Sequence, residues 1–178
     1  MKSVCVGCEK LRNCTTVLGS VHLKGISLKN DKELAKQIQF PLLKEITGHL
    51  IVTFLEDVRS LSDILPNLAV IRGRIANLFK DYAFVVYRNA GLRTLGLNAL
   101  TTVKQGGIKI EFNPFLCYLD RVRWKSLMNH EKYELSIGSN SQDCFDKCSG
   151  CQTPSGHGSS GISYCWAEEK KNCQTCKS

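Results

Sequence analysis

The sequence predicts a mainly β solenoid of irregular leucine-rich rungs with short capping helices, followed by a small cysteine-rich segment. Three observations carry this. A phrase of glycine, any residue, aliphatic, any residue, aliphatic recurs as Gly19-Ser20-Val21-His22-Leu23, Gly48-His49-Leu50-Ile51-Val52 and Gly106-Gly107-Ile108-Lys109-Ile110. A degenerate copy stands at Gly73-Arg74-Ile75-Ala76-Asn77, so the glycines lie 29, 25 and 33 residues apart, the interval of a solenoid rung and not of a hairpin. The second observation is a leucine-rich approach to each glycine, and the third is that six of the ten cysteines fall in the last 38 residues.

Each element follows from local chemistry. Alternation after a glycine reads as a short strand with one buried face, entered through a position that tolerates positive φ. Phe40-Pro41-Leu42-Leu43-Lys44-Glu45-Ile46 and Leu65-Pro66-Asn67-Leu68-Ala69-Val70-Ile71 are parallel phrases upstream of Gly48 and Gly73, and Leu92, Leu95, Leu97, Leu100 and Val103 lead to Gly106. Stacked, these side chains form one continuous core. Helices are expected at Lys32–Ile38, capped by Asn30 or Asp31, and at Arg121–Met128, capped by Asp120. They would cover the open ends or one side of the coil.

Composition divides the chain of 178 residues at about residue 140. Residues 1–140 hold 20 basic and 12 acidic side chains and nearly all the aliphatic ones; residues 141–178 are neutral and contain the loop-forming stretch Thr153–Gly161. The longest apolar run, Tyr82–Tyr87, is far below the roughly 20 residues of a membrane-spanning helix. The net charge of +8 permits a polyanionic partner, although the basic residues are spread singly. Met1–Cys8 lacks the apolar core of a signal peptide and the chain stops two residues after Cys176, so it reads as a fragment.

The cysteines leave two compartments open. Disulfides would place the chain in an oxidising, extracellular setting. Alternatively, Cys148-x-x-Cys151 and Cys173-x-x-Cys176 approach zinc-ribbon spacing, which would make an intracellular nucleic-acid-binding protein. The zinc reading leaves Cys117, Cys144, Cys165 and the rung phrases without roles. His22, His49, His130 and His157 are isolated from one another in sequence, and no nucleophile elbow or phosphate loop occurs, so no catalytic residue, metal site or cofactor is expected.

The runs Arg12–Val21, Phe40–Leu50, Leu65–Gly73, Leu95-Gly96-Leu97 and Asn113–Tyr118 resemble the first receptor L domain of the insulin-receptor and growth-factor-receptor tyrosine kinases. Cys144–Gly150 and Cys165-Trp166 resemble the start of the furin-like cysteine-rich region that follows it. The resemblance implies a right-handed β-helix over residues 1–140, the opening of the cysteine-rich region over 141–178, and extracellular binding of an insulin-like peptide hormone. It implies a dimeric, membrane-anchored tyrosine kinase in the full-length parent, with the membrane reached only through a downstream segment; a secreted or tethered kinase-less protein that sequesters hormone is the alternative. No nucleic acid is expected as a partner. By the same resemblance Cys117 pairs with Cys144, Cys148 with Cys165, Cys151 with Cys173 and Cys14 with Cys5 or Cys8, and Asn13 in Asn13-Cys14-Thr15 carries glycan.

The resemblance also locates the hormone surface. Phe79 and Tyr82 match the family in kind and Glu111 in position. Thr53 and Lys80 stand where the family has phenylalanines, Arg88 where it has an acidic residue and Phe112 where it has a basic one, while Lys24, Gly25 and Ser27 replace an apolar run. Thr53, Phe79, Tyr82, Arg88 and Glu111 are therefore the expected ligand contacts, on a surface poorer in aromatics and more positive than the family's.

Overall fold

A computed structural model of the chain describes residues 12–27, 37–74, 81–128, 133–144, 148, 164–167 and 173–174. Two all-parallel sheets alternate along the sequence. Two-residue strands β1 (Thr16–Val17), β3 (Glu45–Ile46), β5 (Val70–Ile71) and β7 (Thr102–Val103) form the narrow sheet. Longer strands β2 (Val21–Lys24), β4 (Leu50–Thr53), β6 (Tyr82–Tyr87), β8 (Gly107–Glu111) and β9 (Leu135–Gly138) form the broad one. Every strand pairs with the one a full rung later, and that order is a β-helix-like coil.

The repeated glycines are the corners between the two sheets. Gly48 donates its N–H to the Gly19 carbonyl at 2.7 Å, and Gly73 donates to Gly48 at 2.9 Å. A Cβ on Gly48 would sit 2.6 Å from the Gly19 carbonyl carbon, so consecutive rungs close here only without a side chain. Gly73 and Gly106 also hold φ of +68° and +87°. The expected strand directly after Gly73 is corrected by the register: Leu50 pairs with Phe84, so this rung's broad strand begins at Tyr82, behind an insertion of mixed composition. Ile75–Asn77 lie outside the described residues.

The leucine-rich approaches fill the interior. Phe40, Leu43, Ile46, Leu65, Leu68, Ile71, Leu92, Leu95, Leu97, Leu100 and Val103 are all buried in one cluster with the inward residues of β4, β6 and β8. Each such side chain contributes about 1.5–3 kcal/mol of burial free energy.

The C-terminal end of the coil is closed by short turns, in place of the helix expected over Arg121–Met128. A 3-10 turn (Leu119–Arg121) is followed by extended Val122 and one α-helical turn, Trp124–Leu127. Val122 leaves the helical region as its side chain enters the core, and Asp120 turns its carboxylate to the Arg121 guanidinium at 3.2 Å instead of capping. The helix expected over Lys32–Ile38 lies outside the described residues except at Gln37 and Ile38.

Disulfides join Cys117 to Cys144 and Cys148 to Cys165, and Cys173 is disulfide-bonded as well. Beside this staple, Trp166 inserts into the end of the core with its ring perpendicular to Trp124 at 5.7 Å. Cys165 donates its N–H to the Arg121 carbonyl at 2.9 Å, and Gln174 Oε1 accepts the Arg123 N–H at 2.7 Å. The cysteine-rich segment is thus welded onto the coil through Tyr164-Cys165-Trp166.

Candidate functional site

The outer face of the broad sheet has two register rows. One runs His22, Ile51, Val85, Lys109, Ser136; the next runs Lys24, Thr53, Tyr87, Glu111, Gly138. Its centre is apolar and its margins are charged. Of the expected ligand contacts, Thr53 is on this face but only 5% exposed. Tyr82 and Glu111 are half-buried at the β6–β8 margin, Arg88 is exposed, and Phe79 lies outside the described residues. Asn13 is exposed; Cys5, Cys8 and Cys151 lie outside the described residues.

Tyr82 and Glu111 belong to one polar network. Glu111 accepts from Lys109 Nζ at 2.7 Å and from Ser136 Oγ at 2.5 Å. The Lys109 ammonium, and after it the Ser136 hydroxyl, hold the Glu111 carboxyl below its ordinary 4.5. Lys109 also lies 5.4 Å from the centre of the Tyr82 ring. Burial, and then a hydrogen bond to Glu134, push the Tyr82 phenol up to about 12. A carboxyl depressed in the folded state stabilises it above the unfolded value and loses that contribution as pH falls through the folded one. Stability is therefore expected to decline below about pH 4.5, and Glu111→Gln to flatten part of that decline in denaturant titrations at pH 7, 5, 4 and 3.

The rim of the face is sharper than the face itself. The residue after each broad strand turns the corner in the left-handed region: Phe54 (φ 55°), Arg88 (55°), Phe112 (59°) and Ser139 (53°), in line with Gly25 (65°). Such φ is an outlier for large side chains. Interstrand bonds hold it, since Phe54 donates to the Arg88 carbonyl and Arg88 to that of Glu111, each at 3.2 Å. Phe54 and Phe112 are left 46% and 44% exposed, and the Arg88 guanidinium lies 5.3 Å from the centre of Tyr87 and 5.7 Å from that of Phe112. Tyr87 and Phe112 meet edge to face at 5.3 Å. A cation between rings, flanked by exposed phenylalanines on a rigid turn, has the anatomy of a binding hot spot. Sequence reading overlooked Tyr87 and Phe54; the available signal was that Phe54, Arg88 and Phe112 occupy one register position.

Beneath the rim runs an asparagine ladder, also missed. Two residues beyond β6, β8 and β9 stand Asn89, Asn113 and Asn140. Asn89 Nδ2 donates to Asn113 Oδ1 and Asn113 Nδ2 to Asn140 Oδ1, both at 2.9 Å, while Asn89 Oδ1 accepts the Leu55 N–H at 3.0 Å. Asn89 and Asn113 are fully buried, so the ladder satisfies the corner's backbone and holds the rim in place.

A stacked parallel coil that presents a pre-formed face with an aromatic rim is the architecture of a binding module. The chain belongs to the receptor L domain family, whose pattern matches residues 13–128. It is 35% identical over 171 residues to the insulin-like receptor of Drosophila melanogaster and 33% over 175 residues to the insulin-like peptide receptor of Branchiostoma lanceolatum, in each case across 93% of this chain. It is 30% identical over 173 residues to the insulin-like growth factor 1 receptor of Xenopus laevis, again across 93% of the chain. The chain spans only 8%, 12% and 12% of the length of these three relatives. No helix among the described residues is long and apolar enough to cross a membrane.

Proposed function

We propose that the chain is the hormone-capturing part of an insulin-receptor-type ectodomain: a right-handed L domain over residues 1–140 and the start of a furin-like cysteine-rich region over 141–178. It lies on the extracellular side, with glycan on Asn13, and performs no catalysis; in the parent, capture of an insulin-like peptide is coupled within a receptor dimer to a tyrosine kinase. The observation that carries this is the coincidence of family kinship with an exposed Phe54–Arg88–Phe112 rim on the broad sheet. The peptide lies across Thr53, Phe79, Tyr82, Arg88 and Glu111 and packs against that rim. The zinc-ribbon alternative is not favoured, because Cys148 and Cys173, one from each CxxC pair, are taken up by disulfides.

Hormone affinity is expected to rest on Arg88 and Phe112. Titration of secreted chain with insulin, insulin-like growth factor 1 and an insulin-like peptide of Branchiostoma lanceolatum should give weak binding to at least one. Arg88→Ala or Phe112→Ala should weaken it at least about tenfold, the loss of one hot-spot residue, with unfolding temperatures near that of the parent chain. Unchanged affinity in both variants would remove the rim from the site.

A further inference from the structure

We propose that the outer face of the narrow sheet, on a different side of the coil from the hormone face, is a binding surface for a sulfated linear polysaccharide of the extracellular matrix. The basic surplus that composition shows in residues 1–140 has an ordered portion here. Val70 pairs with Thr102, so Arg72 and Lys104, each two residues further on, stand on adjacent rungs, a spacing of about 4.8 Å. Their backbones continue the sheet, Arg72 donating to the Ile46 carbonyl at 2.8 Å and Lys104 to that of Ile71 at 2.9 Å. Arg74 folds back over the preceding rung, its N–H bonded to the Thr47 carbonyl at 3.1 Å, and exposed Lys44 begins that rung.

Glu45 is the carboxylate these cations share. It is ion-paired to Arg72, and the hydrogen bond from Arg72, followed by the charges of Arg72, Lys104 and Arg74, lowers its carboxyl. Arg74, Lys104 and Lys44 have no ion pair with a carboxylate among the described residues. The result is a rigid track of cations across three rungs with one acidic residue inside it, and charge complementarity selects a linear polyanion. Between the cations lie Val70 and Thr102, neither of which offers an aromatic ring for base stacking, and this favours sulfate groups over a single-stranded nucleic acid. The assignment rests on the extracellular placement proposed above and is independent of hormone capture.

The test is immobilised heparin, with secreted chain applied at several salt concentrations. Binding is expected to fall with salt, and Arg74→Gln/Lys104→Gln to make the log–log slope shallower by about 1.5, at roughly 0.7–0.9 for each cation removed from the track. Glu45→Gln, which removes the acidic member of the track, should elute later than the parent chain. Arg59→Gln/Arg93→Gln, with the same charge change beside the separate bridge between Ser60 and Thr94, should behave as the parent. Hormone affinity should be unmoved in all three. Elution of the track and control pairs together, in either direction, would overturn the proposal, and so would earlier elution of Glu45→Gln. Equal competition by a single-stranded oligonucleotide of matched charge would overturn the assignment to a sulfated polysaccharide.

Discussion

Trp166→Ala is expected to lower the stability of the chain by about 3–5 kcal/mol, the cost of emptying a large aromatic site in a core. Trp166 is 1% exposed, packs edge to face on Trp124 and closes the end of the hydrophobic cluster. Its removal opens the stack at the end where Leu119, Trp124 and Leu127 complete the core. In a chain of this size the loss corresponds to a fall in unfolding temperature of about 6–20 °C, measured under non-reducing conditions. Trp166→Phe should cost much less, because the indole N–H finds no hydrogen-bond acceptor among the described residues and the remaining ring still fills most of the site. An alanine variant that unfolds with the parent chain would mean that the cysteine-rich segment hangs from the coil without closing it.

Asn113→Ala is the second large effect, about 2–4 kcal/mol. This one amide accepts from the Asn89 N–H at 3.0 Å and the Asn89 side chain at 2.9 Å. It donates to the carbonyls of Val86 at 3.2 Å and Glu111 at 3.0 Å and to Asn140 Oδ1 at 2.9 Å. Truncation leaves several buried polar groups without partners at once, so the loss exceeds that of an ordinary hydrogen bond. Asn113→Asp should be nearly as harmful, since a carboxylate would face the Val86 and Glu111 carbonyls that now receive N–H groups. Denaturant unfolding measures both. Because the ladder supports the rim, either variant is also expected to weaken peptide binding more than Thr53→Ser does.

The difference between what could and could not be read from the chain is physical. The corners were legible because Gly48 and Gly73 answer to a steric demand that no other residue meets, and such demands leave a recurring letter. The leucine-rich approaches were legible because Leu43, Ile46, Leu68 and Ile71 are dictated by burial. The third rung was misplaced because an insertion after Gly73 changes the interval without changing the stack: register, and not spacing, aligns Phe84 with Leu50. The expected helix over 121–128 failed because Trp124, Leu127 and Met128 recur at helical spacing while the helical turn itself spans only Trp124–Leu127, and Val122 reaches the core from extended backbone before it. The rim was hidden for another reason. Left-handed φ at Phe54, Arg88 and Phe112 is imposed by interstrand hydrogen bonds against the preference of those side chains, so nothing in their identity announces it. The asparagine ladder could have been found once Asn89, Asn113 and Asn140 were placed two residues beyond successive strands.

The central claim is that the broad sheet and its rim take up an insulin-like peptide. It is tested most directly by hydrogen–deuterium exchange of the secreted chain, with and without a saturating concentration of whichever of the three probe peptides binds best. The account predicts slowed exchange over residues 50–54, 82–88 and 107–112, with residues 69–74 and 101–105 unchanged. Slowed exchange confined to 69–74 and 101–105, or none anywhere at saturation, would contradict it.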